Sequence, residues 1–427
     1  MAIDRDEAVR IRANLLDAPL APGGYSHFIN AGTGWVLDIL EKEYLKQRLP
    51  AGAGCFKYLQ GRYGFGKTQF IYSLAARAWQ NDVATAVVNI GIECPFSSPL
   101  AIYKHVMQGF VAPDIGSSHL KDQYGIEFLM QRWIRAKLTE MGLGRDGQPE
   151  PEMRKELDRL LSQNVMGSPN QQATMAIQRL ARSILNQMIG AGQLDIQALQ
   201  WLKGDAVSFP ELKRAGIVEK ATDQNAFDRL KAVLAYLRKN LSYKGFFIAF
   251  DEGTRTGSFK RASAKERQAV ENMLTMINES SKTGGFDGVM FMYAATPDFR
   301  NDVVKNYFAL NDRIGSTAFS KGAPMVPLID LALLIDDALI VGIALRLREV
   351  FARASNVTWN EEVQLSNLRL LMQAEKDVDY STVITPRRFV YHYCLLLQSQ
   401  EQMQEEITEE KARGIAENRP PEAEMEL

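Results

Sequence analysis

Apolar positions in residues 4–16 recur every three to four residues, the spacing that buries one face of a helix, and Pro22, Gly23 and Gly24 break the pattern. The same period returns across "GWVLDILEKEYLKQRL" and runs to Pro50. Other stretches are patterned differently. "GCFKYLQ" is short, apolar and β-prone, and ends at Gly61. "VATAVVNIGIE", "GFFIAFDE" (245–252) and "GVMFMYAATPD" (288–298) are near-continuous apolar runs, as in strands covered on both faces. After "GCFKYLQ" and the glycines that follow it, Phe70, Leu74, Ala75 and Trp79 fall at helical spacing. Apolar strands alternating with helices predict an α/β fold, an open parallel sheet with helices on both sides.

Residues of about 100–243 are mostly helical in pattern, with polar breaks at "GLGRDGQPEPE" and "NVMGSPNQQ", and read as a large α-helical insertion on the sheet. From about 326 the chain turns helical again, through "PLIDLALLIDDALIVGIALRLREVFARAS", "EEVQLSNLRLLMQAEK" and "PRRFVYHYCLLLQSQEQ". The expected organisation is N-terminal helices over 1–50, a core over 51–325 carrying the insertion, a separate α-helical domain over 326–400, and an acidic, mobile tail over 401–427.

Composition narrows the class without naming a chemistry. The 427 residues are too many for one small core, and 46% hydrophobic with 24% charged residues is an ordinary globular balance. A net charge of −1 provides no global attraction to nucleic acid or membrane, so such binding needs a local patch. Cys55, Cys94 and Cys394 are far apart and odd in number, as buried thiols of a reducing compartment, and neither CxxC nor HExxH occurs. The N-terminal stretch is charged and helical, unlike a signal peptide, and no run of 18 apolar residues is present. A cytoplasmic protein with no membrane partner is expected.

The chemistry is concentrated in "YLQGRYGFGKTQFIYSL", residues 58–74, where Gly61, Gly66, Lys67 and Thr68 fit G-x-x-x-x-G-K-[ST] between an expected strand and an expected helix. Glycines at 61, 64 and 66 let the backbone curl so that successive N–H groups face phosphate oxygens. The helix that begins near Lys67 adds the positive end of its dipole. Lys67 would reach the β- and γ-phosphates, and the Thr68 hydroxyl would sit on Mg²⁺. The expected cradle is Gly61, Tyr63, Gly64, Phe65, Gly66, Lys67, Thr68 and Gln69. A second element completes the chemistry. "GFFIAFDE" closes with Asp251 and Glu252 at the sheet edge where ligands bind. Asp251 is the expected Mg²⁺ partner, through water, and Glu252 the base that polarises an attacking water. The paired acids point to hydrolysis, and no guanine-reading NKxD is present, so ATP and Mg²⁺ are the expected cofactors.

"AATPDF" ends the third long strand, where Thr296 or Asp298 could touch the γ-phosphate or the attacking water; a Thr-Pro turn accounts for the same spacing. Arg313, in "NYFALNDRIG", could reach a neighbouring subunit's nucleotide, and Arg387 or Arg388, in "TPRRFV", could fold back over the phosphates of its own subunit. For lone arginines a surface salt bridge is the competing reading. "TRTGSFKRASAKERQ" gathers Arg255, Lys260, Arg261, Lys265 and Arg267 against the single acid Glu266, the best DNA-backbone contact in the chain, against the plainer reading of a solvated loop and helix start.

With these residues assembled, the chain resembles the BrxD-like ATP-binding proteins of bacterial phage-exclusion (BREX) systems. The resemblance runs in order through "EYLKQRLPAGAGCFKYLQGRYGFGKTQFIYSLAARAW", "ECPFSSPLAIYKHVM", "WLKGDAVSFPELKRAGI", "NAFDRLKAVLAYLRKNLSYKGFFIAFDE", "AATPDF", "YFALNDRI" and "TPRRFV", from about residue 40 to 395. It implies an AAA+-type P-loop ATPase core related to replication-initiator and STAND-like ATPases, with an α-helical lid. It also implies Thr296 as a first-sensor residue, Arg313 as an inter-subunit finger and Arg387 as a second-sensor arginine. Partners implied are a helicase, a methyltransferase and a phosphatase-like protein acting on phage DNA. Two places depart from the family pattern: Phe65 is bulky where a small residue is usual, and "DEGTRTG" lacks an acidic continuation. The function expected is a Mg²⁺-dependent ATPase of antiphage defence that drives or gates assembly and remodelling of a homo-oligomer on DNA. The rival is a nucleotide-dependent scaffold that turns over little and orders its helical regions for partners. A small-molecule kinase is disfavoured, since no acceptor-binding pattern is evident.

Overall fold

The computed structural model describes residues 3–17, 21–113, 124–141, 151–163, 165, 167–214, 216–251 and 263–418. One sheet contains β1 (Cys55–Gln60), β2 (Val83–Asn89), β3 (Phe110–Val111), β4 (Gly245–Asp251), β5 (Val289–Ala295) and β6 (Leu328–Asp330), in the order β3-β2-β4-β5-β1-β6. Neighbours are parallel except at the short edge strand β3, which runs antiparallel to β2. Every residue of β4 and β5 is buried, as their apolar sequences require of strands covered on both faces. The α/β expectation holds as a mixed fold with a mostly parallel six-stranded sheet.

β1 and β4 are not neighbours, because β5 lies between them. Ala294 of β5 is in register with both Leu59 of β1 and Asp251 of β4. The C-terminal ends of the three strands therefore stand side by side at one edge of the sheet, the edge where open α/β sheets bind ligands.

Two elements differ from the sequence pattern. "PLID" does not open a helix: Leu328–Asp330 pair with Tyr58–Gln60 as β6, and the long helix begins at Asp337, where the Asp336 side chain accepts from the Leu339 N–H at 2.8 Å. Three residues have no period to separate strand from helix. The helix leading to Pro50 is α only over Gly34–Leu40, and continues over Glu41–Arg48 with the wider pairing of a π-helix.

Between β2 and β4 the chain is mainly helical, and the longest of these helices, Gln171–Met188, buries Ile177, Leu180 and Ile184 in the same hydrophobic cluster as the sheet. A second cluster joins the two ends of the chain. Helix Arg5–Asp17 buries Ala8, Ile11 and Leu15 among residues of Asp337–Ser355 and Pro386–Gln400. Glu409–Glu417, inside the stretch expected to be a tail, is a helix on Glu361–Asp379, with Ala412 and Ala416 buried. Among the described residues, no helix is long and apolar enough to cross a membrane.

Candidate functional site

The glycine loop starts where β1 ends. The Gly61 N–H donates to the Ala295 carbonyl of β5 at 3.1 Å, so the loop begins one residue from Thr296. Gly64 (φ 80°) and Gly66 (φ 88°) lie in the left-handed region, which lets the loop turn back on itself before helix Lys67–Trp79 begins. Lys67 is buried, and its Nζ donates to the carbonyl oxygens of Gly61 at 2.9 Å and Arg62 at 3.4 Å, so the ammonium lies across the loop. Phe65 packs its ring against the main hydrophobic cluster, and its bulk is accommodated there.

The Thr68 hydroxyl donates to Oδ2 of Asp251, bringing together two residues 183 positions apart. Asp251 is buried at the end of β4, and its carbonyl accepts from the Ile90 N–H at 2.8 Å, just beyond β2. Burial, and then the Asp251 carboxylate, push the Tyr72 hydroxyl above its ordinary pKa.

The C-terminal helices reach the same loop. The Arg387 N–H donates to the Gly64 carbonyl at 3.0 Å, and the Arg387 guanidinium meets the side chain of Tyr63. Arg388 turns the other way. It pairs with Glu375 at 3.2 Å and with Asp379, and donates to the Ala416 carbonyl at 2.9 Å. The two adjacent arginines thus separate, one to the loop and one into the C-terminal bundle.

A cavity of about 400 Å³ opens from the loop. One part is polar, lined by the loop, Asn89, Asp251 and Arg387; another is apolar, lined by Leu15, Ile29, Ala31, Leu339, Ile343 and Val390. That volume and mixed lining suit a ligand with a polar part and an apolar part. The apolar wall was missed by sequence reasoning, because its residues come from opposite ends of the chain and share no motif.

The remaining expected residues are distributed around this centre. Thr296 is buried at the start of helix Pro297–Asp302, and its hydroxyl has no hydrogen-bond partner among the described residues, whereas Asp298 is exposed. Arg313 is exposed on Phe308–Ile314 and does not line the cavity. Lys265 and Arg267 are exposed on the first turn of Ala264–Ser280. Glu252, Arg255, Lys260 and Arg261 lie outside the described residues.

The family model for the BREX system ATP-binding protein BrxC/D matches residues 29–414. The chain belongs to this family. Comparison with curated proteins and with solved structures returns no match. The glycine loop lies within the matched residues, as does the helix Pro386–Gln400 that touches it.

Proposed function

We propose that this BREX family member is a Mg²⁺-dependent ATP hydrolase of the AAA+ type. The observation that carries the reading is the Thr68–Asp251 hydrogen bond, which joins the glycine loop to the acid closing β4. Loop N–H groups and the Lys67 ammonium bind the β- and γ-phosphates. Thr68 and Asp251 are hard oxygen donors of the kind Mg²⁺ takes, together with water and phosphate oxygens, and they are the residues that would hold it. The ion, when bound, neutralises charge on the phosphates.

Glu252, next in the chain to Asp251, is the proposed base for the attacking water. Thr296 has a buried hydroxyl beside the start of the loop and is the proposed partner of the γ-phosphate or that water. Arg387 acts as the second sensor, supported by its contact with Gly64 and Tyr63, and the C-terminal helices act as a lid. Arg313, exposed and outside its own cavity, acts on the nucleotide of a neighbouring subunit in a homo-oligomer. Lys265 and Arg267, with Arg255, Lys260 and Arg261, grip DNA phosphates, and the products of turnover remodel the assembly for its BREX partners.

Phosphate release from ATP, with and without duplex DNA, tests the proposal. Turnover that disappears in Glu252→Gln, in Asp251→Asn and on chelation of Mg²⁺ is the expected result. Tight ATP binding with no release above the Glu252→Gln background would instead favour the scaffold reading.

A further inference from the structure

We infer that Asn30, held by Thr33, is the residue that selects adenine in the nucleotide pocket. The inference rests on the ATP reading above and adds the group that distinguishes one base from another. Beside the glycine loop and the helix after it, Asn89, Asp251 and Leu331 line the cavity, and the rest of its described wall comes from the N-terminal segment and the C-terminal helices. On that part of the wall the polar side chains among the described residues are Asn30, Thr33 and Arg387, and Arg387 is engaged with Tyr63 at the loop. A purine lying among Ile29, Ala31, Leu339 and Ile343 therefore has Asn30 and Thr33 as its side-chain hydrogen-bonding neighbours there.

Thr33 is buried, and its hydroxyl donates to Oδ1 of Asn30 at 2.7 Å. This bond fixes the plane of the carboxamide. It leaves Oδ1 a second lone pair and leaves Nδ2 with no partner among the described residues.

The backbone around Asn30 is braced on three sides. The Thr33 N–H donates to the Ala31 carbonyl at 2.8 Å. Gly32 (φ 71°) sits so close to helix Asp337–Ser355 that an added Cβ would lie 2.5 Å from Leu339 Cγ, and a Cβ on Gly342 would lie 2.9 Å from that of Ala31. On the other side, Gln69 Nε2 donates to the Ser26 carbonyl, tying this segment to the helix that follows the glycine loop. Asn30 is thus held in a defined position relative to the phosphate cradle.

A fixed carboxamide presents a donor and an acceptor side by side. That is the complement of the adenine edge, where the N6 amine donates and a ring nitrogen accepts. A 6-oxopurine offers an acceptor in place of the amine, so at least one bond is lost and two oxygens face each other.

Calorimetric titration of the full chain with Mg·ATP and Mg·ITP compares the two edges, since inosine triphosphate carries oxygen at position 6 and a proton on N1. Wild type is expected to bind ATP at least about tenfold more tightly than ITP. Asn30→Leu, of similar size, should bring the two affinities within about threefold, mainly by weakening ATP. Thr33→Val, which frees the carboxamide to rotate, should give an intermediate ratio, and serves as the test if Asn30→Leu does not fold. An unchanged ratio in both variants, or equal affinities in wild type, overturns the inference while leaving the ATP reading intact. Folded wild type that takes up neither nucleotide overturns the ATP reading and this inference with it.

Discussion

Arg387 donates through Nη1 to the Tyr63 hydroxyl, and its guanidinium carbon lies 4.8 Å from the centre of the same ring. An arginine of the C-terminal bundle is therefore positioned by a side chain of the glycine loop itself. A cation over an exposed aromatic face is worth about 0.5–1 kcal/mol, enough to orient the group and weak enough to be exchanged for a phosphate. Arg387→Ala is expected to lower kcat for ATP hydrolysis by about 10²-fold, with a smaller change in ATP affinity. Arg387→Lys should recover little, because an ammonium lacks the planar fork. Tyr63→Phe keeps the ring and should cost less than Tyr63→Ala. Unaltered kcat in Tyr63→Ala would show that the ring does not position Arg387.

Gly64 is the point where the loop and the C-terminal helix meet. Its φ is 80°, and an added Cβ would lie 2.9 Å from Thr385 Cγ2 and 3.2 Å from Arg387 Cβ. Gly64→Ala is expected to cost about 1–3 kcal/mol of stability through backbone strain and contact together. Gly23→Ala (φ 53°) meets open space and isolates the backbone part. Melting curves of the two variants should separate, with Gly64→Ala the lower. Coincident curves would mean that the Thr385–Arg387 contact yields without cost.

Lys57 gives the fold a pH dependence. It is buried in β1, donating to the Tyr44 hydroxyl at 2.7 Å and the Val326 carbonyl at 2.8 Å, both neutral. Burial pulls its ammonium from 10.5 down to about 8. Below that value the folded and unfolded chains are both protonated, and the folded state bears the cost of a buried charge. Between about 8 and 10.5 the unfolded chain still binds a proton that the folded chain has released, so this contribution to stability rises with pH. The melting temperature of Lys57→Met relative to wild type should therefore fall between pH 7 and pH 10. A relative value constant across that range would refute the depressed pKa.

Arg313 shares a short helix with Phe308, which is 85% exposed. A large exposed aromatic beside an arginine suits a protein contact. Arg313→Ala is expected to bind ATP as wild type does and to hydrolyse it poorly. In mixtures with wild type it should depress turnover more than in proportion to its fraction. Strictly proportional loss would assign Arg313 to its own subunit.

The glycine-loop end of the cavity is written locally in the sequence. Two glycine positions, a Lys-Thr pair and an apolar run ending in an acid each depend on neighbours in sequence, and the fold brings Thr68 to Asp251 as that pattern implies. β6 was hidden because three residues have no measurable period. The choice between Arg387 and Arg388 was equally hidden, since it depends on Glu375 and Asp379 drawing Arg388 into the bundle. Asn30 and the apolar wall escaped notice for another reason. Their neighbours are Leu339 and Ala31's contact at Gly342, about three hundred residues along the chain, and no local pattern encodes such a meeting.

The shared core of Arg5–Asp17 and Asp337–Ser355 also sets a schedule for the newborn protein. On the ribosome the glycine loop emerges long before Leu339, Ile343 and Val390, which close the opposite wall. A nascent chain thus carries the glycine loop without the rest of its enclosure. The cavity is enclosed only once Leu339, Ile343 and Val390 have been made and have packed against Leu15.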